Sequence, residues 1–227
     1  MMTIKDSIAA IQQEVGPSVT LVAVSKTHPA TLIQEAYEAG QRHFGENKVQ
    51  EMVDKAALLP NDIHWHMIGH LQSNKVKYIA PFVHLIHGVD SLKLLQTIDK
   101  EGAKVCRVIP CLLQVHIARE DTKFGFSQGE LFDLFESGAL STLKNIRICG
   151  LMGMATFTDD EGQVSSEFQL LHSVFQQLKE KWFAFDSGFN TLSMGMSDDY
   201  HIAVQQGSNM IRVGSKIFGH RNYNSLS

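Results

Sequence analysis

Short apolar runs and segments of helical spacing alternate along this chain without a break, and few folds accept that pattern. The runs fall at residues 19–24, 42–44, 63–68, 83–89, 108–117, 146–154, 191–194 and 210–213. Runs of this length between turn residues read as strands, and uninterrupted apolar character marks burial on both faces. Between them apolar residues recur at helical spacing. Leu32, Ile33, Ala36 and Ala39 form one stripe, opened by His28-Pro29 and stopped by Gly40. Val49, Met52, Val53 and Ala56 form the next, with Pro60 just past its end. Residues 71–79 follow, then a helix that Ser91 caps and that runs through Ile98. Ser127 and Glu130 make a capping box for a helix to Phe135. The longest helix spans 163–182, with Val164, Phe168, Leu171, Phe175 and Leu178 on one stripe. Ser197-Asp198-Asp199 reads as an N-cap with acidic first-turn residues, opening a helix that stops at Gly207. A short last helix begins near Ser215. One extra helix, carrying Ile4, Ile8, Ile11 and Val15, precedes the first strand and ends at Gly16-Pro17.

Strands each followed by a helix, eight times over, are the sequence form of an α/β chain folded as a TIM-type (β/α)8 barrel, here with an extra N-terminal helix. The competitor, a doubly wound open sheet, carries a Gly-rich nucleotide turn after its first strand. This chain has Ser25-Lys26-Thr27 there. Its 227 residues, 44% of them hydrophobic, can bury the core of one such barrel, so a single domain over 1–227 is expected.

Other classes drop out on charge and hydropathy. A net charge of −4, with both signs mixed along the chain, leaves no footprint for nucleic acid or an anionic membrane. No apolar run approaches the roughly 18 residues of a membrane span. The start, Met-Met-Thr-Ile-Lys-Asp, lacks the apolar core of a signal peptide. Cys106, Cys111 and Cys149 form neither a disulfide framework nor a metal spacing, and are expected as reduced thiols in or near the core. A cytoplasmic monomer is the expectation.

In a barrel the ends of all strands face one mouth. Lys26 ends the first strand, where partial burial lowers an amine's pKa and frees it as a nucleophile. A lysine there can also simply snorkel to solvent. The next ends bring Asn47 and His66. The last two bring Met194-Gly195-Met196-Ser197 and Arg212-Val213-Gly214-Ser215, which have the form of a phosphate cup. Gly195 and Gly214 would let backbone approach a ligand, and Ser197 and Ser215 would offer hydroxyls and N–H groups. Each Gly-Ser pair also reads as an ordinary N-cap. A cup plus a lysine suggests a Schiff base with a phosphorylated carbonyl, either pyridoxal 5′-phosphate or the substrate of a sugar-phosphate aldolase.

The chain resembles the pyridoxal-phosphate homeostasis protein family, single-domain proteins similar to the N-terminal barrel of alanine racemase. The resemblance covers essentially the whole chain. It rests on Ala23-Val24-Ser25-Lys26-Thr27, on Phe44-Gly45-Glu46-Asn47 with Gln50-Glu51, and on Trp65-His66-Met67-Ile68-Gly69-His70-Leu71-Gln72-Ser73-Asn74-Lys75. Lys123-Phe124-Gly125-Phe126, Gly150-Leu151-Met152-Gly153-Met154-Ala155 and Leu192-Ser193-Met194-Gly195-Met196-Ser197 match as well, as does Arg212-Val213-Gly214-Ser215-Lys216-Ile217-Phe218-Gly219. It implies pyridoxal 5′-phosphate as cofactor, with Lys26 forming the Schiff base and Ser197, Gly214 and Ser215 holding the phosphate. It implies that Asn47, His66, Met194 and Met196 line the ring pocket and that Arg212 lies beside the pyridine nitrogen. Arginine keeps its own proton, so the ring nitrogen beside it stays unprotonated and the ring is a weak electron sink.

The implied function is cofactor carriage in pyridoxal-phosphate homeostasis, with effects on amino-acid metabolism and pyridoxal-phosphate-dependent apoenzymes as recipients. No catalytic residue is assigned. The alternative is a weak or specialised amino-acid racemase, which needs a second acid/base that neither Tyr200 nor Tyr223 can be shown to supply. No second, β-rich domain follows before Ser227. Lys48, where the family commonly has an aromatic residue, puts the local packing in doubt, while His116 replaces an Asn and Ser215 a Thr. His64, His66 and His70 suggest a metal, but no Cys or carboxylate completes the set, so none is expected. Lys75, Arg119 and Lys123 read either as a solvated face or as a basic rim. Glu46 and Glu51 read as surface or helix-start charges before acid/base groups.

Overall fold

The computed structural model describes residues 2–120 and 124–219. A helix, α1 (Ile4–Val15), precedes the first strand and starts with a reciprocal Thr3–Asp6 capping box. There follow β1 (Thr20–Val24), α2 (Ala30–Glu38), β2 (His43–Glu46), α3 (Val49–Ala56), β3 (His64–Met67), α4 (Val76–Ile79), β4 (Leu85–Val89) and α5 (Leu92–Lys104). The second half holds β5 (Ile109–Gln114), α6 (Gln128–Glu136), β6 (Ile146–Met152), α7 (Glu161–Trp182), β7 (Thr191–Ser193), α8 (Tyr200–Gln205), β8 (Met210–Val213) and α9 (Ser215–Phe218). The strands pair in sequence order, all parallel, and β8 pairs back onto β1, so the sheet is a closed barrel. Closure leaves no strand edge to protect.

Strand geometry points alternate residues to opposite faces. One face of the ring feeds a large apolar cluster shared with the helices, including Ala23, Phe44, Trp65, Met67 and Ile86. The other feeds a small separate cluster of Val22, Leu85, Leu112, Met152 and Met210, which fills the inside of the barrel. That interior also admits polar residues, and they build the site described below.

Three elements differ from expectation. Residues 71–79 form a 3-10 turn, Ser73–Lys75, before the single α-turn of α4. The Ser73-Asn74 side chains favour turns over helix interiors, which shortens the helix. The helix after Ser91 continues past Ile98 to Lys104. Cys106 is exposed rather than in or near the core, at a positive φ of 53° just after α5, whereas Cys111 is buried. Among the described residues no helix is long and apolar enough to cross a membrane.

Candidate functional site

Lys26 stands half-buried immediately past β1. The turn that carries it is bound to α3 by charge. Lys55 Nζ donates to the Ser25 carbonyl at 2.8 Å and to Glu46 Oε1 and Glu51 Oε1 at 2.7 Å each. The Ser25 hydroxyl donates to the same Glu46 oxygen at 2.6 Å, and Glu51 Oε1 also accepts from the Thr27 N–H. Thr27 adopts a φ of 68°. For a β-branched residue this left-handed conformation costs about 1–3 kcal/mol, sustained only where neighbours fix the backbone. Both neighbours of Lys26 are thus held by one helix.

Glu46 is a correction. It is not a surface charge: its side chain is wholly buried, and Oε2 has no hydrogen-bond partner among the described residues. Burial pushes its carboxyl up to about 7, against the opposing pull of Lys55 and Ser25. Glu51 stays partly exposed.

The last two strand ends meet beside the first. Val22 pairs with Arg212 and Ala23 with Val213, and a Cβ on Gly214 would lie 3.0 Å from the Val24 carbonyl oxygen. The Gly214 N–H donates to Ser197 Oγ at 3.2 Å, tying the loop after β7 to the loop after β8. Ser197 is therefore not a helix cap. The residue flanking α8 is Asp199, whose carboxylate instead accepts from the Met196 N–H. Gly195 has a φ of 95°, and a Cβ there would meet the Ala203 Cβ at 2.6 Å. Its smallness serves packing against α8 rather than access for a ligand. Met194 is buried, Met196 half-buried, and Ser215 exposed as the first residue of α9. Asn47 follows β2, and a Cβ on Gly69 would touch its carbonyl oxygen at 2.6 Å, so the ends of β2 and β3 abut.

Deeper in, a row of polar groups crosses the barrel. Arg212 Nη1 donates to Ser193 Oγ at 2.7 Å and Nη2 to the Gly153 carbonyl at 3.0 Å. Ser193 Oγ lies 3.1 Å from His87 Nδ1, and His87 Nε2 lies 2.8 Å from His66 Nδ1. His66 Nε2 is 2.9 Å from His43 Nδ1, and His43 Nε2 is 3.4 Å from His64 Nδ1. Arginine only donates. With the Ser193 hydroxyl donating to His87 Nδ1, each imidazole up to His43 holds its hydrogen on Nε2 and every link is satisfied.

Burial lowers Arg212 to about 10, so it keeps its charge near neutrality. Burial, then the charges around it, pushes His66 and His87 well below the ordinary histidine value, and burial likewise takes His43 to about 4. His43, His66 and His87 are therefore neutral near neutral pH.

The structure thus brings Lys26, Ser197 and Gly214 to one end of the barrel, and sets Arg212 and His66 inside it. His66 is hydrogen-bonded to two other imidazoles and belongs to the barrel's interior. Sequence reasoning missed Lys55, Ser193, His43, His84 and His87. Strand alternation would have placed His43 and His87 on the face of His66, had strand register been known. His70 is exposed and pairs with Asp90 at 3.1 Å. The Tyr200 hydroxyl donates to Glu14 of α1 at 2.6 Å, and burial, then that carboxylate, raises it to about 12. Lys48, exposed, flanks α3, and His116 Nε2 lies 2.9 Å from the Glu120 carbonyl. Lys123 and Tyr223 lie outside the described residues.

Residues 2–222 match the family described as alanine racemase, N-terminal domain. A pyridoxal phosphate homeostasis protein of Pasteurella multocida is 37% identical over 235 residues, covering 98% of this chain and 99% of that protein. Its namesake in Escherichia coli K12 is 37% identical over 230 residues, 97% of this chain and 94% of that one. Among solved structures, PipY of Synechococcus elongatus PCC7942 without PLP superposes with a TM-score of 0.89 at 37% identity, over 96% of this chain and 100% of that chain. The form with PLP bound gives 0.85 at 36% identity, with the same coverage. An alanine racemase of Bartonella henselae, at 16% identity and a TM-score of 0.71, covers 96% of this chain and 58% of that one, and shares the fold.

Proposed function

Since this chain belongs to the pyridoxal phosphate homeostasis protein family, built on the alanine racemase N-terminal barrel, we propose that it binds pyridoxal 5′-phosphate covalently through Lys26 Nζ and carries the cofactor without using it for catalysis. The observation that carries this reading is the Gly214 N–H bond to Ser197 Oγ, which joins the two loops of an anion cup next to the strand that ends in Lys26. The residues fit the group. The lysine can meet an aldehyde, Ser197, Gly214 and Ser215 can meet a phosphate, and Arg212 carries a lasting positive charge within the barrel. When bound, the cofactor supplies an electrophilic carbonyl and a ring that accepts electrons. Asn47, Met194 and Met196 border the ring in this reading, whereas His66, with both ring nitrogens engaged by His43 and His87, lies deeper in the barrel than the sequence implied.

Arg212 supports carriage over catalysis. It holds its own proton near neutrality, at about 10 even in the barrel interior, and its bonds to Ser193 and Gly153 fix it in place, so it does not protonate a ring nitrogen nearby. A racemase also needs a second acid/base, and the Tyr200 hydroxyl is held by Glu14. The proposal extends to one cofactor-binding domain over 1–227, a cytoplasmic monomer, and pyridoxal-phosphate-dependent apoenzymes as recipients.

The test is an absorbance spectrum of the purified chain with added pyridoxal 5′-phosphate, before and after borohydride, beside Lys26→Ala. A Schiff-base band that borohydride abolishes and the variant lacks is expected, with no racemase or transaminase turnover. A chain that stays colourless overturns the cofactor reading, and robust racemisation overturns the carrier reading.

A further inference from the structure

The end of the barrel away from Lys26 gathers histidines. His43 and His64 begin β2 and β3, His84 directly precedes β4, and His66 stands one inward step above His64. Ring centres of His64 and His84 stack 4.2 Å apart, and those of His43 lie 4.7 Å from His64 and 5.1 Å from His66. His43, His66 and His84 each offer one ring nitrogen, and the three nitrogens lie within 4.8 Å of one another. We propose that these three imidazoles bind a divalent transition metal of the zinc class at the N-terminal end of the barrel.

The donor set selects that class. Three imidazoles with no carboxylate or carbonyl suit zinc, cobalt, nickel or copper, and do not suit magnesium or calcium. A three-histidine site leaves a fourth position for water. His84 is exposed and supplies the way in. The exposed His84 ring would have to draw in, since the three nitrogens lie within 4.8 Å of one another rather than at bonding separation. Metal–nitrogen bonds of about 2.0–2.1 Å in a tetrahedron set ligand nitrogens roughly 3.3 Å apart, and His43 Nδ1 and His66 Nε2 stand 2.9 Å apart. The hydrogen between them would leave, and the pair would open by a few tenths of an ångström. His66 would then carry its hydrogen on Nδ1 and donate it to His87 Nε2, the outer partner that a ligating histidine ordinarily has. His87 in turn would donate from Nδ1 to Ser193 Oγ. Arg107, whose charge acts on His84, is turned to the Ala80 and Val83 carbonyls, which hold it at 2.5 and 2.8 Å.

The site is separate from the cup that Lys26 borders. A metal there would join β2, β3 and the segment entering β4. In this fold that face governs stability.

Cobalt titration of the tag-free full chain tests the proposal, because tetrahedral cobalt absorbs intensely in the visible. One cobalt per chain with that absorption, displaced by zinc, is expected. His84→Ala, at a surface position, and His43→Ala should each weaken binding at least about tenfold in variants whose urea midpoint shows them folded. His201→Ala and His70→Ala should leave it unchanged. The imidazole 15N resonances of His66 and His87 should exchange their protonated positions on zinc addition. No tetrahedral cobalt band, or a band that survives both His43→Ala and His84→Ala, overturns the proposal.

Discussion

Lys55 donates to the carbonyl of Ser25 at 2.8 Å, across thirty residues of chain, and so fixes the last peptide before Lys26. The same ammonium sits on two carboxylates, one of them fully buried. A helix that looks in sequence like an ordinary amphipathic surface element thereby sets the position of the lysine at the mouth.

Removing this cation leaves Glu46 buried with its counter-charge gone. Lys55→Met is therefore expected to cost about 3–5 kcal/mol, the range for breaking a buried pair on one side. Lys55→Met with Glu46→Leu should cost clearly less, since no charge is then stranded. Urea unfolding of the two variants beside the parent measures both, and equal losses would contradict this account of the pair.

Acid should unfold this chain early. His43 and His84 fall to about 4 from an ordinary value of 6.5, chiefly by burial, and His66 and His87 fall further. The unfolded state therefore binds more protons between about 6.5 and 4, and stability present above that window is lost as pH falls through it. Glu46 works the other way. Its folded value of about 7 lies above its ordinary 4.5, so its own contribution weakens as pH rises between them. Four imidazoles outweigh one carboxylate. The urea midpoint should drop between about pH 6.5 and about pH 5, and a midpoint that rises there would show Glu46 dominating.

Gly195→Ala places a methyl 2.6 Å from the Ala203 Cβ and 2.9 Å from the Tyr200 backbone, at a φ of 95°. Strain and overpacking together should cost about 2–4 kcal/mol. Because α8 and the loop holding Ser197 must move apart, pyridoxal phosphate binding should weaken too. Thermal melts and a cofactor titration read the two effects; unchanged cofactor binding in a folded variant would detach this loop from the cup.

Particular residues show what could be read from the chain. The ring of strands was legible because each apolar run has turn residues at both ends, and β8 and α9 fall where the pattern puts them. From sequence the helix after Ser91 reads only to Ile98, although it continues through Gly102. That glycine is there because a Cβ would meet the Arg107 and Asn145 carbonyl oxygens at 2.8 Å each, a reason visible only in three dimensions. Lys26, Ser197 and Gly214 were legible as neighbours because a barrel sends all strand ends to one mouth. Glu46 was not, because nothing local says that Lys55 folds back over it. The partnership of His66, His87 and Ser193 needs cross-barrel register, which a period of two residues does not supply.

The row from Arg212 to His64 has a grammar of its own. Each neutral imidazole has a single hydrogen to place, so neighbours must agree on direction. A disagreement anywhere sets two donors or two lone pairs face to face in a dry interior, at about 1–3 kcal/mol. The sense of the row is therefore a collective, two-valued quantity. Whatever fixes it at His43 also decides whether Ser193 gives or receives a hydrogen next to the arginine, with no backbone atom needing to move.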